Sequence, residues 1–233
     1  MPTASYLHRR GQIETYFDRT AADAWSRLTS DAPVGRIRAT VRAGREQMRH
    51  TLLSWLPADM TGRSLLDAGC GTGALAVEAA RRGAAVTAID LSPTLIALAQ
   101  ERAPQRFERG RVEFRVGDMF DAGLGSFDHV VAMDSLIHYA TADVVPVIAS
   151  LAARCGASLL FTFAPRTALL AVMHAAGRLF PRGHRAPAIE PVRERDLRRR
   201  LGADPGLANF GAGRTHRIAC GFYTSQAQEI VRR

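Results

Sequence analysis

Read for apolar periodicity, the chain changes rhythm near residue 60. Before that point, apolar positions recur at helical spacing. Ile13, Tyr16, Phe17, Ala21, Ala24, Trp25 and Leu28 predict an amphipathic helix over Gln12–Leu28, because residues three and four apart share one helix face. Pro33 and Gly35 interrupt it, and a second helix is expected from Arg36 to Trp55, stopped by Pro57. After residue 60, short apolar runs alternate with helical stretches. The runs are Leu65–Leu66, Ala85–Ile89, Val112–Val116, Phe127–Met133 and Ala157–Ala164. The helical stretches are Ala74–Arg82, Ser92 to about Ala103, and Ala142–Arg154. Alternation of this kind predicts an α/β fold with a parallel sheet covered on both faces.

Beyond Pro165 the pattern departs from this alternation. Thr167–Phe180 is strongly apolar and reads as helical, Pro181–Pro191 is rich in proline and arginine, and Arg193–Leu201 reads as a short basic helix. Residues 165–205 are therefore expected to be an insertion over the ligand edge, where specificity resides. The chain divides into an N-terminal helical cap, 1–60, and a core, 61–233.

Composition narrows the class. With 233 residues, 47% hydrophobic and 23% charged, the chain suits one large globular α/β domain. No run approaches the roughly 18 uninterrupted apolar residues of a membrane span. The first residues, MPTASYLHRRGQ, carry no apolar signal core, so a cytoplasmic location is expected. Cys70, Cys155 and Cys220 are scattered and imply neither a disulfide framework nor a metal site. The net charge of +9 is arginine-dominated, with clusters at His8–Arg10, Arg36–Arg49 and Arg193–Arg200. Such a surplus attracts anions, although arginines on solvated faces would look the same.

The chemistry concentrates in Ser64–Asp90: an apolar run ending in Asp67, glycines at 69, 71 and 73, a helical stretch closed by Gly83, and an apolar run ending in Asp90. Glycine lets a turn take positive φ and lets a ligand approach its backbone. An acid at the tip of the second strand can accept both hydroxyls of a ribose. The spacing is not the dinucleotide GxGxxG, and no GK[ST] follows for a triphosphate. Asp67 would repel a pyrophosphate and suits a ligand that carries a cation.

These residues resemble the class I S-adenosylmethionine-dependent methyltransferases. The resemblance implies a Rossmann-like, seven-stranded, mostly parallel sheet, with Leu207–Ala219 and Phe222–Ile230 as its closing antiparallel pair. It implies S-adenosylmethionine as cofactor, with Asp67, Gly69, Gly71 and Gly73 at its amino-acid end and Asp90 and Leu91 at its ribose. Asp118 and Met119 would meet the adenine, and Met133 would lie nearby. Further segments, Tyr16–Trp25, Met133–Tyr139, Phe161–Thr167, Leu179–Pro191 and Gly221–Ser225, resemble the magnesium protoporphyrin IX O-methyltransferase family. That resemblance implies methylation of one propionate carboxyl of the metallated tetrapyrrole, giving its 13-monomethyl ester in chlorophyll or bacteriochlorophyll synthesis. It also suggests contact with the large subunit of magnesium chelatase and loose attachment to photosynthetic membrane.

His138 is the candidate for hydrogen-bonding and orienting the propionate at the transfer site, or for sitting near the central magnesium, and Tyr139 a weaker contact for the substrate. Arg182, Arg185 or an arginine of the cap are candidates for binding the second propionate. Family members carry a catalytic tyrosine after the cap tryptophan. Thr29 occupies that place here, which leaves Tyr16 as the cap's candidate. A carboxylate acceptor, with a pKa of about 4.3, is already ionised at neutral pH and needs no base. A quinol acceptor would need one. An RNA methyltransferase is suggested by charge alone, and no base-flipping motif supports nucleic acid as a partner. A cofactor-binding regulator without catalysis is the reading from another class.

Overall fold

The computed structural model describes residues 2–20, 35–166 and 189–233. The strands are β1 (Ser64–Ala68), β2 (Ala85–Asp90), β3 (Arg111–Val116), β4 (Phe127–Ala132), β5 (Cys155–Phe163), β6 (Phe210–Cys220) and β7 (Tyr223–Arg232). They form one sheet in the order β3-β2-β1-β4-β5-β7-β6. The first five run parallel, and β7 is inserted antiparallel between β5 and β6. Strand order reverses between β1 and β4, which opens a crevice at their carboxyl ends.

Six α-helices are described: α1 (Ala4–Thr15), α2 (Arg36–Trp55), α3 (Ala74–Arg81), α4 (Pro93–Arg102), α5 (Thr141–Ala153) and α6 (Glu194–Ala203). One face of the sheet is covered by α2 and α3, through Met48, Leu52, Leu75 and Ala79 against Leu65, Val131 and Leu160. The other face takes α1, α5 and α6, through Tyr6, Ile148 and Leu197 against Leu66, Val130 and Leu159. Full burial of one leucine such as Leu52 contributes about 1.5–3 kcal/mol. Half of α2 is thus core rather than a separable cap, while its first turns reach the crevice.

The first helix begins at Ala4, well before the expected Gln12. Thr3 caps it, its hydroxyl accepting from the Tyr6 amide. The Thr3 and Ser5 hydroxyls then donate to the buried Asp143 carboxylate at 2.5 and 2.7 Å. Tyr6 is 1% exposed, so one aromatic and one anchored cap hold a helix whose apolar stripe is thin. The helix passes into a π-turn, Tyr16–Thr20. The expected continuation over 21–28 and Thr29 lie outside the described residues.

Helix α6 falls within the expected insertion but packs beside α5 on the sheet face, burying Leu197 and Leu201. The insertion over the ligand edge therefore does not extend to residue 205. Its base is built by backbone pairing. The Arg166 amide donates to the Val192 carbonyl at 2.9 Å, Val192 to Ala164 at 2.8 Å, and Glu190 to Ile137 at 2.8 Å. Residues 167–188, with the expected helix and Arg182 and Arg185, lie outside the described residues.

Candidate active site

The glycine turn hangs from the neighbouring strand. Gly69 and Cys70 amides donate to the Ile89 carbonyl at 2.8 and 3.0 Å. The Gly71 amide donates to Asp90 Oδ2 at 2.8 Å and the Ser92 amide to Asp90 Oδ1 at 3.0 Å. Gly69 stands at φ 82°, and a Cβ there would lie 2.3 Å from Ser135 Cβ. Only a glycine lets the turn after β1 press this closely on the turn after β4.

Asp67, at the end of β1, is buried, and among the described residues its Oδ2 has no hydrogen-bond partner. Loss of water pushes its carboxyl up to about 7, and the Asp90 charge adds to this. Burial also raises Asp90, offset by the backbone amides it accepts from. Two carboxylates held this way call for a cation. Loss of water, with both negative charges nearby, raises the half-buried Cys70 thiol well above its ordinary value, which disfavours its thiolate.

Around this pair opens a cleft of about 630 Å3, within the range of small-molecule sites. Its far wall is the exit of β4. Asp134 leaves the strand at φ 54° with its carboxylate buried. The chain then makes a short 3-10 turn, Leu136–His138. His138 and Tyr139 face the cleft, with Phe17 of the π-turn 6.1 Å from the His138 ring, centroid to centroid. The π-turn is secured from below, since Thr94 Oγ1 donates to Asp18 Oδ1 at 2.6 Å. Tyr16 lies in the same roof. Burial raises its phenol, an effect that the Arg38 charge opposes.

One wall is cationic. Arg38, Arg42, Arg45 and Arg49 of α2 all line the cleft, as their spacing of three and four residues allows. Arg45 is paired with Asp134 at 2.6 Å, and Arg49 with Glu46 at 2.6 Å. Arg49 and Thr72 also line a smaller hollow of about 330 Å3 beside the glycine turn.

Of the residues singled out from sequence, Tyr16, Asp67, Gly69, Gly71, Asp90, Leu91, Met119, Met133, His138 and Tyr139 line this one cleft. Gly73 does not. It caps α3, where a Cβ would meet the Phe114 ring at 2.6 Å. Asp118 also lies off the wall. Its Oδ1 accepts from the Tyr6 hydroxyl at 2.9 Å, and Arg10 is paired with Oδ2 at 3.3 Å. Tyr6 stacks on Tyr139 at 4.7 Å, bracing the turn that carries His138. Sequence reasoning does not reach Tyr6 or Asp134 as site residues, and it reaches the α2 arginines only as an unspecified cap arginine for the second propionate. Only the arginine spacing is visible as a local signal.

The cleft suits S-adenosylmethionine on observations of the chain itself. An unpartnered buried carboxylate oxygen at Asp67 matches an ammonium or sulfonium. Asp90 offers acceptors at the tip of β2, and Gly69 leaves space that a Cβ would fill. Arg49 is placed for a carboxylate at the same end. No group of three or more His, Cys, Asp or Glu side chains that could hold a metal occurs among the described residues. With this strand order and this acid-flanked glycine turn, the chain takes its place among the class I S-adenosylmethionine-dependent methyltransferases. The general methyltransferase domain matches residues 65–156, and the C-terminal region of magnesium-protoporphyrin IX methyltransferase matches 132–232. A magnesium-protoporphyrin O-methyltransferase of Rhodobacter capsulatus is 47% identical over 98% of this chain and 99% of its own length. The crystal structure of the Synechocystis magnesium protoporphyrin IX methyltransferase with bound SAH superposes with a TM-score of 0.84, at 32% identity over 96% of this chain and 100% of that one. The chain belongs to the magnesium protoporphyrin IX methyltransferase family. Xanthomonas oryzae ubiquinone biosynthesis O-methyltransferases match only 58% of this chain, at 33% identity over 59% of theirs.

Proposed function

We propose that this enzyme methylates one propionate carboxylate of magnesium protoporphyrin IX, using S-adenosylmethionine and releasing the 13-monomethyl ester and S-adenosylhomocysteine. The observation that carries the reading is a cleft with two unlike ends. Buried acid lies at the glycine turn, and an arginine wall faces the turn that bears His138. The first end suits a cationic donor, the second an anionic acceptor.

Bound S-adenosylmethionine supplies an electrophilic methyl group. The chain's own work is to hold, orient and dry the acceptor. Asp67 and Asp90 hold the donor's ammonium and ribose ends, with Met119 against its apolar part. Asp118 acts through Tyr6 and the loop after β3. His138 donates a hydrogen bond to the propionate and keeps one oxygen aligned; it does not have to remove a proton. Arg38 and Arg42, with Arg182 and Arg185 from the segment after β5, provide cations for the second propionate. Tyr16, Phe17 and Tyr139 exclude water, which strengthens each of these contacts.

The surplus of positive charge, +9 overall, supports loose association with an anionic membrane surface. Receipt of substrate from the magnesium chelatase large subunit fits an insoluble, pigment-like acceptor. Among the described residues no helix is long and apolar enough to cross a membrane. The test is incubation with labelled S-adenosylmethionine and magnesium protoporphyrin IX, beside metal-free protoporphyrin and a demethylated quinol. Label in the metallated tetrapyrrole is expected, and none in the quinol. Label in the quinol alone would overturn the reading.

A further inference from the structure

The Asp134 carboxylate accepts hydrogen bonds from four side chains. Asp134 is the one non-glycine among the described residues with positive φ, 54°, a conformation that collects at functional sites. Its side chain is 3% exposed. Arg45 Nη1 donates to Oδ2 at 2.6 Å, the Tyr223 hydroxyl lies 3.1 Å from both oxygens, and Ser225 Oγ and Thr162 Oγ1 donate to Oδ1 at 3.2 and 3.1 Å. The Asp134 amide in turn donates to Thr162 Oγ1 at 2.7 Å. These partners come from α2, β5 and β7, and they converge where the chain turns toward His138.

We infer that Asp134 is a positioning residue for methyl transfer: its carboxylate ties the arginine-lined helix α2 to the turn that presents His138. Ser135, next along, presses on Gly69 and so references the same turn to the donor site. Arg42 and Arg38 lie three and seven residues before Arg45, about 4.5 and 10.5 Å along the helix axis. Freeing Arg45 therefore lets the acceptor's anchors drift relative to His138. A displacement of 1 Å at a transfer site costs about a hundredfold in rate. The inference rests on the acceptor proposed above.

Asp134→Asn is the decisive variant, since asparagine tolerates the left-handed backbone and keeps acceptor capacity but loses the charge that holds Arg45. A fall in kcat of about tenfold or more is expected, with the affinity for S-adenosylhomocysteine held within about threefold. Arg45→Met should do the same, and the double variant should be no slower than the worse single, as expected of one unit. Amide hydrogen exchange should rise together at 135–139 and 36–45. Wild-type kcat in Asp134→Asn, additive effects in the double variant, or exchange rising in one wall alone would overturn the inference. Should Asp134→Asn fail to fold, Arg45→Lys and Tyr223→Phe decide. Both are expected to lose turnover without losing S-adenosylhomocysteine, and full activity in both would refute the link. If wild type does not methylate magnesium protoporphyrin IX, the acceptor reading fails, while the exchange measurement still decides the coupling.

Discussion

Replacing Gly69 by alanine tests the most crowded point of the site. Two costs arise. At φ 82° a side chain adds about 1–2 kcal/mol of backbone strain. The new Cβ would also fall 2.3 Å from Ser135 Cβ, an overlap of the kind that costs about 1–3 kcal/mol when backbone must shift. The loss in folding stability is therefore about 2–5 kcal/mol. Two companions separate the contributions. Gly62→Ala carries strain alone, because Gly62 stands at φ 74° and a Cβ there would meet nothing within 4 Å. Ser135→Gly removes the opposing atom and leaves Ser135 Cα, 3.6 Å away, at ordinary contact. Urea denaturation of Gly69→Ala, Ser135→Gly and the double variant should yield a favourable coupling energy of about 1–3 kcal/mol. Calorimetry with S-adenosylhomocysteine should follow the same order, with binding weakened in Gly69→Ala and recovered in the double. Coupling within about 0.5 kcal/mol of zero would show that the two turns do not touch and would remove the stated reason for glycine at this position.

Three other changes probe the remaining parts. Asp67 is ordinarily ionised above 3.8 but holds its proton up to about 7 in the folded state. The folded chain then binds a proton that the unfolded chain has released. Its contribution to stability falls as pH rises between those values and is level above them. Asp67→Asn should flatten that part of the pH profile in urea melts and weaken S-adenosylmethionine binding by at least about tenfold, one lost charge-assisted contact. His138→Ala should lower kcat by about 10- to 100-fold while leaving cofactor affinity nearly unchanged, as expected of a group that orients the acceptor; steady-state and binding assays together check this. Asp18→Ala should remove about 1 kcal/mol through its lost hydrogen bonds with Thr94 at the start of α4 and raise KM for the tetrapyrrole more than for the cofactor, since Tyr16 and Phe17 lose their tether.

How much of the site is legible in the sequence alone depends on distance along the chain. Asp67, the three glycines and Asp90 form one βαβ unit, and local physics places them: glycine for positive φ, an acid at each strand tip. His138 and Tyr139 are legible because they follow the β4 run directly. Asp134 is not. Its partners Arg45, Thr162, Tyr223 and Ser225 are far off in sequence, and nothing in Met133–Tyr139 signals that four elements meet there. The role of Asp118 looks simpler in the sequence than it is, because Tyr6 and Arg10 approach it from a segment that precedes the helix predicted over Gln12–Leu28. That segment folds as α1 through a threonine cap and one buried tyrosine, too sparse a stripe for periodicity to register. The basic stretch near Arg193 reads as a cover over the site, yet its two leucines, Leu197 and Leu201, bury it beside α5. A polar helix with only two apolar residues per face reads alike in either position.

The backbone pairing of Pro165 with Val192 has a practical meaning. That one rung ties Pro165, just past β5, to Val192, just before α6, so both ends of the intervening span are fixed to each other by the host fold. Substituting that span with its counterpart from another methyltransferase is then a cassette exchange: the pigment accepted should change with the cassette, while folding and donor affinity stay with the host.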